Sequence, residues 1–221
     1  MRHTNNVETV EIIASEGGTE GGQLVLRNKN GFSTVQLDGD ASGVACGYLR
    51  LYNSNGVAAV TIEGDSTGEG KVTTQVLQIT GGSDLSENFD IRSYHQPLQP
   101  GMIVCIDPKN PGQLVTSSKA YDKTVAGVMS GAGGVKPGML MGQKGTQADG
   151  AHPVALTGRV YCMVDADKGG IEPGDLITTS DTPGHGMKVK KHDKAQGAIV
   201  GKAMTALEKG KGLVLVLVSL Q

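Results

Sequence analysis

The chain has 221 residues, a formal net charge of −2 and 38% hydrophobic residues, with 34 glycines, no tryptophan and only 3% aromatic residues. This length suits one large or two small domains, and the hydrophobic content argues against extended disorder. The near-neutral charge argues against a dedicated nucleic-acid binder, and the scarcity of aromatic residues excludes a large aromatic core.

The chain opens with a polar segment, residues 1–20, that has no apolar signal-peptide core. We therefore expect a protein that is made in a reducing cytosol and not exported. We interpret this segment as an extended arm, because it holds a short β-prone stretch suited to pairing with a partner protein. The residues predicted to contact that partner are Val7, Val10, Ile12 and Ile13.

A gapless repeat organises the next segment, residues 21–82. Residues 22–40 (GQLVLRNKNGFSTVQLDGD) align with residues 47–65 (GYLRLYNSNGVAAVTIEGD) at an offset of 25. In each copy, apolar and polar residues alternate on both sides of an Asn-Gly pair, which predicts two strands joined by a tight turn. Residues 70–80 look like a degenerate third element.

These hairpins carry one apolar face, which needs a second layer to bury it. That layer is either the downstream domain or other copies of the chain. We favour a homotrimeric stalk with one shared axial core, because short hairpins punctuated by glycine suit a narrow intertwined structure. The residues predicted to line that core are Leu24, Leu26, Val35, Leu37, Leu49, Leu51, Val60 and Ile62.

A second duplication marks residues 83–221, which we call the head. The turn Pro100-Gly101 matches Pro173-Gly174, and Gly127 matches Gly201. Each copy reads as a Pro-Gly turn, an apolar strand, a second turn, a second strand and a strand around a glycine. Without helical periodicity beyond ten residues, this pattern predicts an all-β barrel or sandwich, and its succession of turns and strands resembles β-clip and β-tulip modules.

Two local features of this head carry their own expectations. Either Ser83 or Asp84 suits a helix cap, so we expect one short helical turn within residues 84–89. The final run, LVLVLVSL, lacks polar alternation and predicts a strand buried on both faces. At residues 213–218 its longest apolar stretch is too short to span a bilayer, so no membrane partner is expected.

The candidate chemical groups do not converge on a known catalytic or metal motif. The segment Asp165–Gly170 lacks the later ligands of a calcium loop, and His185 and His192 lie in turn-like or lysine-rich surroundings. The three cysteines form no CxxC pair, and Cys105 and Cys162 sit in apolar runs typical of buried residues. We expect no cofactor, no metal and no enzymatic activity.

A basic run near the end of the head holds Lys188, Lys190, Lys191 and Lys194. Such a run can contact a nucleic acid or an acidic protein surface. Because no aromatic residues interleave with the lysines, we favour a solvated strand protected against edge-to-edge aggregation, and we expect no nucleic-acid partner.

The head has a recognisable succession of motifs: GSDLSENFDI at 82–91, then LQPGMIVCID, YDKTVAGVMSG, LTGRVYCMVDADKGGIEPGDLITTSDTPGHGM, IVGKAM and a last strand. It resembles the β-rich C-terminal modules of phage and phage-like tail-fibre proteins, and also the trimeric head-decoration (cement) proteins of tailed phages. The repeats at 22–65 resemble trimeric fibre stalks. The resemblance implies a structural virion protein that binds the major capsid protein or another virion component.

Two alternatives stay open. A receptor-binding or adhesive tip would carry its specificity in the loops at 131–150 and 181–194. An enzyme on a β-clip-like barrel is the weaker alternative; it rests on the segment IEPGDLITTS at 171–180, which is similar to modules attached to sugar-acid enzymes.

Overall fold

A computed structural model gives the fold of the chain and describes residues 8–14, 21–39, 46–64 and 70–220. The structure is built almost wholly of β-strands, so the predicted all-β class is confirmed. The chain forms two compact units, Met1–Gln78 and Ile79–Gln221.

The N-terminal unit is an antiparallel sheet of six strands that follow one another in chain order. The strands are β1 (Val10–Ile13), β2 (Gln23–Arg27), β3 (Ser33–Asp38), β4 (Tyr48–Tyr52), β5 (Ala58–Gly64) and β6 (Gly70–Thr74). The two predicted repeats form the hairpins β2–β3 and β4–β5. Part of the predicted arm supplies β1, which pairs with β2, and the degenerate third element supplies β6, which pairs with β5.

The C-terminal unit holds eleven strands and three short helical turns. The strands are β7 (Asp84–Phe89), β8 (Ile91–Arg92), β9 (Ile103–Ile106), β10 (Leu114–Thr116), β11 (Val125–Met129), β12 (Met139–Met141), β13 (His152–Asp165), β14 (Leu176–Thr179), β15 (Gly186–Lys188), β16 (Ile199–Ala203) and β17 (Lys211–Ser219). The helical turns are two 3₁₀ helices, Ala132–Gly134 and Ala166–Lys168, and one α-helical turn, α1 (His192–Ala195).

The strand β13 organises this unit because its 14 residues belong to two groups of strands. Its C-terminal half pairs with β17, and the pairings then run through β16, β14 and β15 back to β13, which closes a barrel. Its N-terminal half pairs with β11 on one side and β7 on the other. Aliphatic side chains from β13, β14, β16 and β17 fill the core.

The head duplication appears in the pairing of its strands. In each copy the first strand lies between the other two: β9 between β10 and β11, and β14 between β15 and β16. The register is also the same, with one residue bulged before the glycine of the third strand. The pairs are Cys105–Val125 and Val104–Gly127 in the first copy, and Thr178–Ile199 and Ile177–Gly201 in the second.

Two expectations about the head are wrong. Residues 84–89 form the strand β7 and not a helical turn, because their backbone groups pair with β13 and β12. The last strand, β17, is buried on one face only: Val214, Val216 and Val218 point into the barrel, whereas Leu213 and Leu217 are exposed. In a run of only apolar residues, the sequence pattern cannot distinguish an inner from an outer face.

Candidate assembly surface

The six-stranded sheet carries two unbroken rows of mostly apolar side chains on one face. The register places them directly opposite one another from strand to strand. The first row is Ile12, Leu24, Leu37, Leu49, Ile62 and Val72; the second is Val10, Leu26, Val35, Leu51, Val60 and Thr74. All eight residues predicted for the stalk core therefore lie on one face.

Among the described residues, the side chains of this apolar face are exposed or half-buried, and none is fully buried. Ile12 is 80% exposed, Ile62 is 45% exposed and Val72 is 60% exposed. The described strands of the N-terminal unit form a single layer. A contiguous exposed apolar surface of this kind is rare on a monomeric protein and is typical of an interaction site.

The opposite face of the sheet is mostly polar, and several of its side chains are paired with one another. Arg50 lies over the ring of Tyr48 at 4.0 Å, and Tyr52 donates a hydrogen bond of 2.7 Å to Gln36. Burial raises the pKa of Tyr48, and its hydrogen bond to Asp38 raises it further. This face is stabilised within the sheet, in contrast to the apolar one.

Ion pairs at the two edges extend this polar network. Arg27 contacts Glu11 at 2.7 Å and so joins β2 to β1, and Lys71 contacts Glu63 at 3.4 Å and joins β6 to β5. The edge strands are thus attached by side chains as well as by backbone hydrogen bonds, although such partly exposed pairs contribute little stability each.

The residues predicted to contact a particle do not all lie on the same face of the sheet. Val10 and Ile12 lie in the apolar rows, beside Leu26 and Leu24. Because side chains alternate along a strand, Ile13 lies on the opposite face. Val7 lies outside the described residues.

A shallow groove of about 570 Å³ lies at the end of the sheet where β1 finishes. Its lining includes Ile12, Ile13, Leu37, Leu49 and Ile62, so most of its surface is apolar. At this end of the sheet the lining includes residues of both faces, because Ile13, Asp38 and Tyr48 contribute to it as well as the apolar rows.

The head histidines singled out in the sequence have ordinary structural surroundings. The Nδ1 atom of His185 lies 2.7 Å from the carbonyl oxygen of Pro183, within the turn before β15. His192 is the first residue of α1. Across the described ranges, no three His, Cys, Asp or Glu side chains form a group that could hold a metal ion.

The candidate calcium segment uses its carboxylates to fix the local backbone. Asp165 accepts hydrogen bonds from the Asp167 amide at 3.1 Å and from the Thr182 hydroxyl at 2.6 Å. Asp167 accepts one from the Gly210 amide at 2.9 Å. These carboxylates therefore hold the 3₁₀ turn after β13 against two other loops.

The buried cysteines are unsuited to nucleophilic chemistry. Burial raises the pKa of Cys105 and of Cys162 to about 12, so both thiols stay protonated at neutral pH. Cys46, Cys105 and Cys162 are all free of disulfide bonds. The buried pair acts as small apolar side chains, as expected from the sequence.

Two head pockets were not apparent from the sequence. One, of about 360 Å³, is lined by Tyr94, Asp107, Lys119 and Asp122, among others. The other, of about 340 Å³, brings Lys168 together with three lysines of the basic run. The sequence carried a signal for the second pocket only in the run itself, because Lys168 comes from a different loop.

Comparison with known protein families finds no family that matches the chain, and comparison with curated proteins finds no match either. None of the helices in the described ranges has the length and the apolar character needed to cross a bilayer.

Proposed function

We propose that this protein is a non-enzymatic structural component of a virion: a homotrimer that decorates and stabilises the capsid of a tailed phage. The observation that carries the assembly part of the proposal is the apolar face of the six-stranded sheet. The capsid part rests on the resemblance of the head motifs and the repeats to decoration and fibre proteins.

The free energy of burying the apolar face drives the proposed association. Moving a fully exposed aliphatic side chain into a packed core contributes about 1.5–3 kcal/mol, and a half-buried one contributes correspondingly less. The two rows extend across all six strands, so their burial would remove many apolar side chains from water at once. Copies of the same chain are the proposed cover, because they supply the same apolar rows at the same spacing.

Three copies suit this surface better than two. Each face is a narrow strip two residues wide along every strand, and the repeat hairpins β2–β3 and β4–β5 are closed by short turns. Three such strips around an axis would form a closed core in which each apolar row meets rows from both neighbours. Two copies would instead pack face to face like the two sheets of a sandwich, and the native mass distinguishes the two arrangements.

The proposed action is binding and not chemistry. Attachment of trimers across capsomer junctions would add buried area to the shell and raise its resistance to internal pressure. The head would present its loops to the exterior or to neighbouring subunits. The expected location is the virion, and the expected partner is the major capsid protein or another virion component.

The test is the native mass of the purified protein by multi-angle light scattering. We expect three times the chain mass of 22.8 kDa. The variant Ile62→Asp places a charge in the apolar face, so we expect it to be a monomer. Its matched control, Thr61→Asp, lies on the polar face opposite Arg50, and we expect it to remain trimeric.

A monomeric wild type at micromolar concentration, or an Ile62→Asp variant with unchanged mass, would contradict self-association through this face. A dimer would contradict the threefold arrangement alone. Co-sedimentation of the trimer with undecorated phage capsids then tests the capsid part separately, since a trimer that binds no capsid keeps the assembly and removes the decoration function.

The second candidate is a receptor-binding or adhesive tip, which the pocket beside Tyr94 favours. Tyr94 is 64% exposed, and carboxylates and hydroxyl groups line the same pocket. An exposed aromatic ring next to hydrogen-bonding groups suits a sugar ring. Binding on a glycan array that is lost in Tyr94→Ala would place this candidate ahead of decoration.

A further inference from the structure

A pocket of about 340 Å³ in the head has an unusual charge balance. Its charged lining residues are Lys168, Asp181, Lys190, Lys191 and Lys194. Four positive groups thus surround one cavity with a single carboxylate. The whole chain carries a net charge of −2, so this balance is a local property of the pocket.

The single carboxylate is already engaged. Asp181 contacts the ammonium group of Lys168 at 2.8 Å, and this contact holds the pKa of Asp181 below its ordinary value and raises that of Lys168. In the described part of the head, no ion pair joins Lys190, Lys191 or Lys194 to an acidic side chain. Three lysines that form no ion pair in this part of the head therefore line the pocket.

The fold holds the lysine backbone in place through an unusual residue. Tyr121 has a φ of 56°, and it is the only residue other than glycine with positive φ among those described. Its hydroxyl oxygen accepts hydrogen bonds of 3.0 Å from the amides of both Lys190 and Lys191. A bulky residue rarely adopts this backbone conformation unless its surroundings enforce it.

A buried strand supplies that enforcement. The Tyr121 amide donates to the carbonyl oxygen of Thr179 at 3.2 Å, and the Asp122 amide donates to the Thr179 hydroxyl at 2.8 Å. Thr179 is the last residue of β14 and is buried. The loop that carries Tyr121 is therefore anchored to the barrel.

Gly169 leaves room for the side chain of Lys190 beside the loop that carries Lys168. Gly169 has a φ of 140°, and a Cβ at this position would lie 2.6 Å from Cε of Lys190. The Lys190 stem can therefore pack on the loop that also carries Lys168. A side chain at residue 169 would push Lys190 away from this loop.

We propose that this pocket binds a compact oxyanion group that carries more than one negative charge, such as a diphosphate or a sulfated sugar. Ammonium groups are strong donors to phosphate and sulfate oxygens, and an anion relieves their mutual repulsion. A compact anionic group fits a concave pocket, whereas nucleic-acid binding would call for an extended basic groove with exposed aromatic rings for base stacking. The proposal is independent of the proposed trimer and of the capsid function.

Isothermal titration calorimetry at low salt tests this site with two probes, pyrophosphate and a trisulfated heparin disaccharide. The first variant replaces Lys190, Lys191 and Lys194 with glutamine, and we expect its affinity to fall at least about tenfold, because the attraction between charges is lost. The matched control replaces Lys144, Lys202 and Lys209 with glutamine, which changes the net charge equally outside the pocket. We expect it to retain wild-type affinity within about twofold.

A further variant separates geometry from charge. Tyr121→Phe removes only the hydroxyl that holds the lysine backbone, so we expect weaker binding with no change in net charge. Thermal melting of each variant checks that the head is folded, and Lys194→Gln alone replaces the triple variant if that variant melts early.

Each outcome decides the proposal. Tighter binding of pyrophosphate identifies a phosphate-bearing ligand, and tighter binding of the disaccharide identifies a sulfated glycan. Equal affinity of the wild type and both triple variants, or no binding of either probe, would overturn the proposal. Binding of duplex DNA without binding of either small probe would also overturn it, in favour of a nonspecific basic surface.

Discussion

At the scale of single residues, the hairpin repeat preserves hydrogen bonds as well as hydrophobic pattern. The Asn28 side chain accepts hydrogen bonds from the amides of Asn30 and Phe32, at 2.9 and 3.1 Å. In the second copy, Asn53 accepts from Asn55 and Val57 at 2.9 and 3.0 Å. Each turn is thus closed by an asparagine that precedes the Asn-Gly pair. The glycine of the Asn-Gly pair provides the positive φ. Asn28 or Asn53, two residues before that pair, accepts the hydrogen bonds that close the turn.

Gly127 and Gly201, the matched glycines of the head duplication, are required for a different reason. Both lie where a neighbouring strand passes very close. A Cβ at Gly127 would lie 2.5 Å from the carbonyl oxygen of Ala155, and one at Gly201 would overlap the carbonyl oxygen of Leu217. Neither glycine is among those with positive φ. These positions require glycine because of space and not because of backbone conformation.

We therefore expect Gly201→Ala to destabilise the head by about 2–3 kcal/mol, since the added methyl group forces β16 and β17 apart. Urea denaturation measures this change. The matched control is Gly81→Ala, because a Cβ there meets no atom within 4 Å. We expect that control to remain within about 0.5 kcal/mol of the wild type. Equal stability of the two variants would contradict the close approach of these strands.

At the scale of elements, an ion pair reinforces the hairpin β14–β15. Asp175, just before β14, contacts Lys188 in β15 at 2.7 Å and also accepts a hydrogen bond of 2.8 Å from the amide of Glu172. Burial alone would raise the pKa of Asp175, but these two hydrogen bonds outweigh it and hold the pKa below its ordinary value of 3.8. The folded state therefore favours the ionised carboxylate.

This shift predicts a pH dependence. A group with a lowered folded pKa stabilises the fold above its unfolded pKa, and the contribution disappears as the pH falls through the folded pKa. We expect Asp175→Asn to cost about 1 kcal/mol at pH 7, allowing for the partial exposure of the pair, and almost nothing at pH 2. Denaturation curves at both pH values measure this.

The matched control for this element is Glu208→Gln, an exposed carboxylate with no ion pair in the described part of the head. We expect its effect to be small at both pH values. A cost for Asp175→Asn that is equal at pH 7 and pH 2 would show that the substitution acts through packing and not through charge.

At the scale of the whole molecule, the strand β1 presents two different surfaces. Ile12 belongs to the apolar face proposed as the trimer core, whereas Ile13, 40% exposed, lies on the other side of the same strand. If the trimer buries the apolar face, only Ile13 stays on the outer surface of the assembly. In this arrangement Ile12 serves the association of the chains, and Ile13, its neighbour on the other face, is available for attachment to a particle.

We expect Ile13→Asp to keep the trimeric mass and to lose most of its binding to capsids, since the charge lies outside the proposed core. We expect Ile12→Asp to lower the mass, because it places a charge beside Leu24. Light scattering and capsid co-sedimentation separate these effects. Full capsid binding by Ile13→Asp would remove this residue from the attachment surface.

The hairpins, the apolar face and the turns of this protein could be predicted from the sequence because they depend on local patterns. Alternation around Asn-Gly predicts the hairpins β2–β3 and β4–β5, and the eight apolar residues of the repeats do share one face. The two Pro-Gly turns of the head have glycines with nearly equal φ, 93° at Gly101 and 95° at Gly174. Periodicity and turn chemistry depend on residues a few positions apart, so they survive in any context.

Only the tertiary structure decided the features that depend on distant partners. The pairing of Val164 with Gly186 closes the barrel, and pairing with β13 makes residues 84–89 a strand. The same holds for the lysine pocket, where Lys168 joins the basic run across the fold. One face of a strand is buried only where another element packs against it. Charged side chains from different loops form one pocket only where the fold brings those loops together. Such pairings form between segments far apart in the chain, and no local pattern encodes them.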